Sequence, residues 1–408
     1  MMIAAKALFW GSFFVLFYTY LGYGLIVALW LKGRVWIRGK RKAPALRDDG
    51  EEWPAVTLLV AAYNEESVLE AKIRNCRELD YPPGKLKLLF VTDGSDDGGP
   101  ALIRRHADIR LLHRPERQGK VAALKRAMPL VDTPVTVFTD ANTFLNPAAI
   151  RELAAHFRDA RVGAVAGEKH IRGQASGAAS TAGEGLYWKY ESWLKRQDAE
   201  LHSVVGAAGE LYAIRTALFQ DVPEDTLLDD FMQALLIARA GYRVAYAPGA
   251  RAEEYASANL REELKRKVRI CAGGAQSILR LRALLNPFRF GVLSFQYVSH
   301  RVLRWTLAPL ALPLFFAANL ALAWAGPLFF QYVLFAQFLF YGLAVMGYLF
   351  KGRSVPVPGF FAPLYFCLMN YSAYAGFLRF FLGAQGVDWE KARRAEAGVA
   401  ASQGAGAR

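Results

Sequence analysis

With 408 residues the chain exceeds one ordinary domain, so a soluble core and a separate apolar part fit within it. The formal charge of +14 raises a nucleic-acid partner, but Lys32, Arg34, Arg38, Lys40, Arg41 and Lys42 directly follow a long apolar run, where juxtamembrane charge belongs, and no base-reading module is found. Three cysteines, Cys76, Cys271 and Cys367, form no even disulfide framework and have no metal-like spacing, which fits a reducing compartment.

Residues 7–31 lie between Lys6 and Lys32 without a charge. At about 1.5 Å rise per residue such a run crosses a bilayer core of about 30 Å. It is too long for the apolar core of a cleaved signal peptide. The basic residues that follow place the N-terminus outside and the next domain in the cytosol.

Short β-rich runs then alternate with helical patterns, the signature of an α/β domain. "AVTLLVAAYNEE" (55–66) reads as a buried strand ending in polar residues, and "KLKLLFVTDGSDDG" (85–98) and "PVTVFTDANTF" (134–144) repeat the plan. "VGAVAGEKHI" (162–171) is a fourth strand. Intervening segments such as "SVLEAKIRNCRELD" have helical periodicity, so each strand is expected to pair in parallel with the next through a crossover helix. Ligands of such sheets gather beyond the carboxyl ends of the strands, where Glu65, Asp93 and Asp140 fall.

Residues 260–282 mix basic and apolar side chains as a helix at a headgroup surface does, and "linker" is the plainer alternative. Residues 305–350 are free of charge and long enough for two spans around "AWAGP" (323–327). Residues 354–378 are a further candidate. The small-residue tail "GVAASQGAGAR" is expected to be disordered. The expected divisions are an N-terminal transmembrane helix (1–34), a cytosolic domain (50–256), amphipathic interfacial helices (257–300), C-terminal transmembrane helices (301–383) and a polar tail (384–408).

Three clusters carry chemistry. Asp93-Gly94-Ser95-Asp96-Asp97 is, by itself, ordinary turn composition, yet it ends a strand, and Asp140-Ala141-Asn142 ends another 47 positions later. Hard oxygen ligands at such an edge suit Mg²⁺ or Mn²⁺, which bind few protein carboxylates and leave room for substrate phosphates. Between them "HRPERQGKVAALKRA" (113–127) sets Arg114, Arg117 and Lys120 around Gly119 before a helix, an arrangement that favours phosphate. It is not a P-loop, and no G-x-G-x-x-G follows the first strand, which removes the main support for a dinucleotide-binding redox domain. Asp229-Asp230 open a helical pattern, either as partners of the helix dipole or, next to a metal and phosphate region, as a source of a general base.

In combination these elements resemble glycosyltransferase family 2, specifically its membrane-embedded polysaccharide synthases such as the poly-N-acetylglucosamine, hyaluronan and cellulose synthases. The likeness runs through "AAYNEE", "VTDGSDDG", "RQGKVAAL", "TDAN", "GAAGELYAIR", "LDDFMQALLIARAGYRV" and "RKVRICAGG" in order. It implies a GT-A fold, a Rossmann-like and mostly parallel sheet, joined to an α-helical transmembrane region. It also implies that Tyr63, Glu65 and Asp93 contact the uridine of a UDP-sugar, with Lys120 near the diphosphate. Asp140 then leads the D-x-D motif that binds Mg²⁺ or Mn²⁺, with Asn142 in place of the second Asp; Thr92 likewise stands where many relatives have another Asp. Gly206, Gly209 and Glu210 fall in the acceptor-side loop. Asp230 matches the catalytic base of the E-D pair, and Asp229 takes the Glu position.

"RKVRI" (266–270) resembles the Q-x-x-R-W element of processive synthases, with Arg266 at the Gln position, Arg269 retained and Ile270 in place of Trp. The indole lost there is an aromatic platform for a sugar ring. "WEKARR" (389–394) resembles a tail element that packs near the same site. If that tail is cytosolic, one later apolar segment is interfacial, and 354–378 is the suspect, with Pro356, Pro358 and Pro363 near its start.

The expected function is therefore an inverting, metal-dependent hexosyltransferase of the bacterial inner membrane, with a cytosolic catalytic domain. It extends a cell-surface polysaccharide from a UDP-sugar, in contact with membrane lipids and with polysaccharide export proteins. The alternatives are single transfer to a lipid such as a polyprenyl phosphate, and a catalytically silent nucleotide-sugar-binding scaffold.

Overall fold

The computed structural model describes residues 2–39, 52–172, 179–255, 257, 259–350 and 358–384. Helices α1 (Met2–Phe17) and α2 (Tyr23–Arg38) run on from one another through a single π turn, Tyr18–Gly22. The part that carries the sheet follows: β1 (Val56–Ala62), α3 (Glu66–Arg77), β2 (Leu86–Asp93), α4 (Gly99–Arg104), β3 (Ile109–Arg114), α5 (Lys120–Ala127), β4 (Val135–Asp140) and β5 (Phe144–Leu145). It continues as α6 (Ala149–Ala155), β6 (Val162–Arg172), α7 (Ala179–Leu201), β7 (Leu211–Arg215), α8 (Asp229–Arg239) and β8 (Arg243–Tyr255). Then come α9 (Leu260–Arg280), α10 (Pro287–Tyr297), α11 (Leu303–Trp305), α12 (Leu307–Ala325), α13 (Leu328–Leu349) and α14 (Pro358–Phe381).

The eight strands form one sheet in the order β3-β2-β1-β4-β7-β6-β8-β5. Strand β1 is buried at every residue; Leu58 and Val60 enter the core on one face, Leu59 and Ala61 the core on the other. A strand covered on both sides reads as a continuous apolar run, which is why β1 is legible in the sequence. Helix α3 covers one face with Leu69, Ile73 and Cys76, and its charges suit its dipole, with Glu66 in the first turn and Arg74 and Arg77 in the last.

The expected serial parallel pairing needs correction. β1 pairs in parallel with β2 on one side and β4 on the other, and β2 pairs onward with β3, which the sequence reading did not separate. The fourth expected strand, β6, does not touch β4, because β7 intervenes and pairs antiparallel with both. Strand order reverses between β1 and β4, and the crevice beyond such a reversal is where open α/β sheets hold ligands.

Among the described residues three helices are long and apolar enough to cross a membrane: Met2–Ile37, Leu307–Trp324 and Leu328–Leu349. These match the first expected span and the two expected within 305–350. Helix α14 is not one of the three; it lies along α9 and α13. At its crossing with α9, a Cβ on Gly376 would lie 2.6 Å from Cys271 Cβ and from the Val268 carbonyl oxygen. Helix α9, expected at a headgroup surface, is thus walled in by protein along its Val268, Cys271, Ala272 and Ala275 face. Lys40, Arg41 and Lys42, residues 354–357, "WEKARR" and the small-residue tail lie outside the described residues.

Candidate active site

The ends of β1 and β2 are laced together. Asn64, at φ 50°, donates from Nδ2 to Asp96 at 2.7 Å, and its amide donates to Ser95 Oγ at 3.1 Å. Asp93 ends β2 with its carboxylate committed to the basic loop: Oδ2 accepts from the Gln118 and Gly119 amides at 2.7 and 2.6 Å, and Oδ1 from Arg126 at 2.9 Å. Gly94, at φ 69°, lets that loop approach, since a Cβ there would sit 2.8 Å from Arg117 Cα. The Arg117 guanidinium rests 3.9 Å above the centre of the Tyr63 ring and donates to its hydroxyl at 3.1 Å. Tyr63, Asp93, Arg117, Gly119 and Lys120 enclose only about 10 Å³ there. Glu65 sits at the start of α3 and lines neither this space nor the larger cavity.

Lys120, the first residue of α5, reaches from this corner to the larger cavity, of about 650 Å³, and donates to Asp140 Oδ1 at 2.7 Å. Burial works against its charge, but the carboxylates of Asp140, Asp229 and Asp230 outweigh it and hold the ammonium above its ordinary value. Burial pushes Asp140 upward, and Lys120 opposes that shift. The turn after Asp140 is propped by Lys72, fully buried in α3, which donates to the Thr143 carbonyl at 2.6 Å and to Thr139 Oγ1 at 3.4 Å. The sequence showed Lys72 only as one more charge on an amphipathic helix.

Asp229 and Asp230 open α8 on the other side of the cavity. Burial first, then the neighbouring Asp229 carboxylate, push Asp230 up to about 7. Asp229 Oδ2 is buried without a hydrogen-bond partner. Gly209 joins the two walls: a Cβ built on it would lie 3.3 Å from Asp230 Oδ2 and 3.4 Å from Lys120 Nζ. Gly206 needs its positive φ of 115° to pass Phe231.

Glu210, Arg266 and Arg269 line the same cavity. Glu210 belongs to a buried charge network that motif reading missed: Lys169 of β6 pairs with both Glu210 and Glu254, and Arg266 pairs with Glu263 at 2.9 Å and Glu254 at 3.7 Å. Burial raises Glu210, yet Lys169 overrides it and holds the carboxyl well below the usual range. Ile270, at the expected indole position, also faces the cavity, but so do Trp188 of α7 and Trp305 of α11.

The donor set suits a hard divalent cation in one respect. Asp140 faces open space, and Asn142 Oδ1, two residues on, is buried without a partner. Among the described residues no three His, Cys, Asp or Glu side chains converge, so phosphate and water oxygens must complete any coordination shell, as Mg²⁺ commonly requires. Asp140 lines the cavity, and Asn142 does not. Of the expected site residues, then, Asp140, Lys120, Gly209, Glu210, Asp229, Asp230, Arg266 and Arg269 share one cavity; Tyr63 and Asp93 lie beside it, and Glu65 stands apart.

Comparison with known proteins bears on the family and the fold. A poly-beta-1,6-N-acetyl-D-glucosamine synthase of Staphylococcus aureus is 26% identical over 239 residues, covering 56% of this chain and 57% of its own. A beta-monoglucosyldiacylglycerol synthase of Trichormus variabilis is 26% identical over 215 residues, covering 51% of this chain and 43% of its own. The match thus spans about half the length of these curated relatives. A mannosyltransferase from Pyrobaculum calidifontis, solved with GDP-Man and Mn²⁺, superposes over 94% of this chain and 99% of its own, with a TM-score of 0.68 and 24% identity. That likeness establishes the GT-A fold together with the helical part. Because the glycosyltransferase-like family 2 pattern matches residues 54–273, more than half of the 408, the protein belongs to that family.

Proposed function

We propose that the protein is a membrane-bound hexosyltransferase that moves a sugar from a UDP-sugar onto an acceptor hydroxyl, with inversion at the anomeric carbon. The observation that carries this reading is that Lys120 and Asp230 meet beside Gly209, with Lys120 bonded to Asp140, in one cavity. Asp230 takes the proton of the incoming hydroxyl; its raised affinity for a proton near pH 7 suits a general base. The acceptor oxygen bonds to the anomeric carbon as the bond from that carbon to the diphosphate breaks, and the electron pair leaves on the diphosphate. Lys120, which lines the cavity, is the cation that stabilises this charge in the proposed reaction, and such stabilisation is commonly worth on the order of 10²-fold or more in rate. Asp140, with Asn142 as second ligand, would hold a Mg²⁺ or Mn²⁺ ion, and such an ion would supply further positive charge to the diphosphate.

Tyr63, Glu65 and Asp93 belong to the nucleotide end; Asp93 serves by fixing the loop that carries Arg117 and Lys120. Gly209, Glu210, Asp229, Arg266 and Arg269 belong to the acceptor end. The soluble domain works on the cytosolic face of the plasma membrane, and the acceptor is a growing cell-surface glycan. A second reading, single transfer to a lipid, is favoured by one feature: Phe366, Met369 and Ala373 of α14 and Tyr20 and Leu21 of the N-terminal helix line the same cavity.

The test uses full-length protein with a panel of UDP- and GDP-sugars and Mg²⁺ or Mn²⁺, following nucleotide release and product size. Asp230→Asn abolishes transfer and keeps nucleotide binding. Transfer at a comparable rate by that variant sinks the assignment, and a ladder of products against a single glycolipid separates the two acceptors.

A further inference from the structure

Lys72 is fully buried on α3 among the apolar Leu69, Ile73 and Cys76. An ammonium taken out of water is far more costly than an apolar side chain of similar length, and among the described residues no carboxylate lies within bonding distance of this one. Stability alone does not select a lysine here. What the ammonium meets is a knot of threonine oxygens: it donates to the Thr143 carbonyl at 2.6 Å and to Thr139 Oγ1 at 3.4 Å. The Thr143 hydroxyl donates to the Asp140 carbonyl at 2.8 Å, and the Thr139 hydroxyl to the Glu210 carbonyl, also at 2.8 Å. Both hydroxyl protons are thereby spent, although the two hydroxyl oxygens lie 3.0 Å apart. Such a pair calls for a neighbour that donates and does not accept, which an ammonium does.

The knot reaches two walls of the large cavity. Thr143 closes the turn that presents Asp140, and the Ala141 amide of that turn donates to the Ala61 carbonyl of β1 at 3.1 Å. Glu210 follows Gly209, the residue beside Lys120 Nζ and Asp230 Oδ2. One turn along α3, Asn75 holds β5 separately: its Nδ2 donates to the Leu145 carbonyl and its Oδ1 accepts from the Leu145 amide, both at 2.8 Å. Taking away the lysine donors therefore leaves β5 anchored and frees the knot alone.

Resting on the transferase reading, we propose that Lys72 is a positioning residue. Through Thr139 and Thr143 it holds the Asp140 turn and the Glu210 loop at one spacing, so that the donor sugar and the acceptor hydroxyl meet in reacting geometry.

The test reads hydrogen exchange by mass spectrometry, with transfer and UDP binding measured on the same full-length protein in nanodiscs. Lys72→Met, of similar length and without donors, speeds exchange about tenfold or more in residues 139–143 and 207–212 together, while β2 keeps its rates. Its kcat falls about tenfold or more, because small misplacements of reacting groups are costly in rate. UDP affinity in the presence of a chelator stays at the wild-type value. Thr139→Val keeps the lysine bond to Thr143 and cuts the tie to Glu210, so exchange rises in 207–212 alone and kcat falls; it decides the question should Lys72→Met not fold. Unchanged exchange in either segment of Lys72→Met overturns the proposal. So does an unchanged kcat in the loosened variant, or a UDP affinity that falls along with kcat, which marks a general loss of structure. Transfer by Asp230→Asn removes the transferase assignment and leaves the joint exchange of the two segments as evidence for the tie.

Discussion

Lys120 Nζ lies 2.7 Å from Asp140 Oδ1, and the lysine side chain borders both the tight corner at Tyr63 and the large cavity that holds Asp230. The bond joins the start of α5 to the end of β4, two elements on either side of the point where strand order reverses. A divalent cation held at Asp140 would compete with Lys120 for the same carboxylate.

With a cation proposed at Asp140, metal-dependent transfer is the expected outcome. Chelator-treated protein loses transfer, and Mg²⁺ or Mn²⁺ restores it; Asp140→Ala is not restored and no longer binds Mn²⁺ in the presence of UDP, as electron paramagnetic resonance reads. Full transfer after chelation removes the metal from the mechanism.

The acid limb of the rate should belong to Asp230. Burial and then Asp229 raise it to about 7, so the deprotonated base is depleted as pH falls through that value. A profile of kcat/KM against pH, which reports free-enzyme groups, declines below about pH 7. Asp229→Asn removes the like charge and moves this limb to lower pH. A limb that stays in place under that substitution assigns it to another group.

Stability depends on Lys169, which is buried between Glu210 and Glu254. Lys169→Met strands two buried carboxylates and destabilises by about 3–5 kcal/mol at pH 7. Glu210 is held below its ordinary value, so its stabilising contribution is fully present above the unfolded carboxyl range and is lost as pH falls through the folded value. The gap in melting temperature between wild type and variant therefore narrows in acid, as scanning fluorimetry measures. A gap that widens in acid contradicts the pairing.

The seam between α9 and α14 tolerates no side chain at Gly376, where a Cβ meets Cys271 and the Val268 carbonyl at 2.6 Å. Gly376→Val costs about 1–3 kcal/mol by overpacking and shifts the wall that carries Phe366 and Met369. The melting temperature falls and the acceptor KM rises more than the donor KM. Equal changes in both constants place the effect elsewhere.

The sequence by itself determined the strand ends at Asp93 and Asp140, the basic loop at Lys120, the acidic start of α8 and the apolar spans, because each is a local pattern set by strand burial, turn chemistry or hydropathy. Tertiary structure decided which strands are neighbours, since β1 accepts a partner on each edge and nothing local says that β4, not β6, takes the second. It also decided the meaning of Lys72 and Lys169, which in a sequence look like charges on solvated faces. The carbonyl partner of Lys72 and the carboxylate partners of Lys169 come from other elements, and only folding brings these groups out of water together.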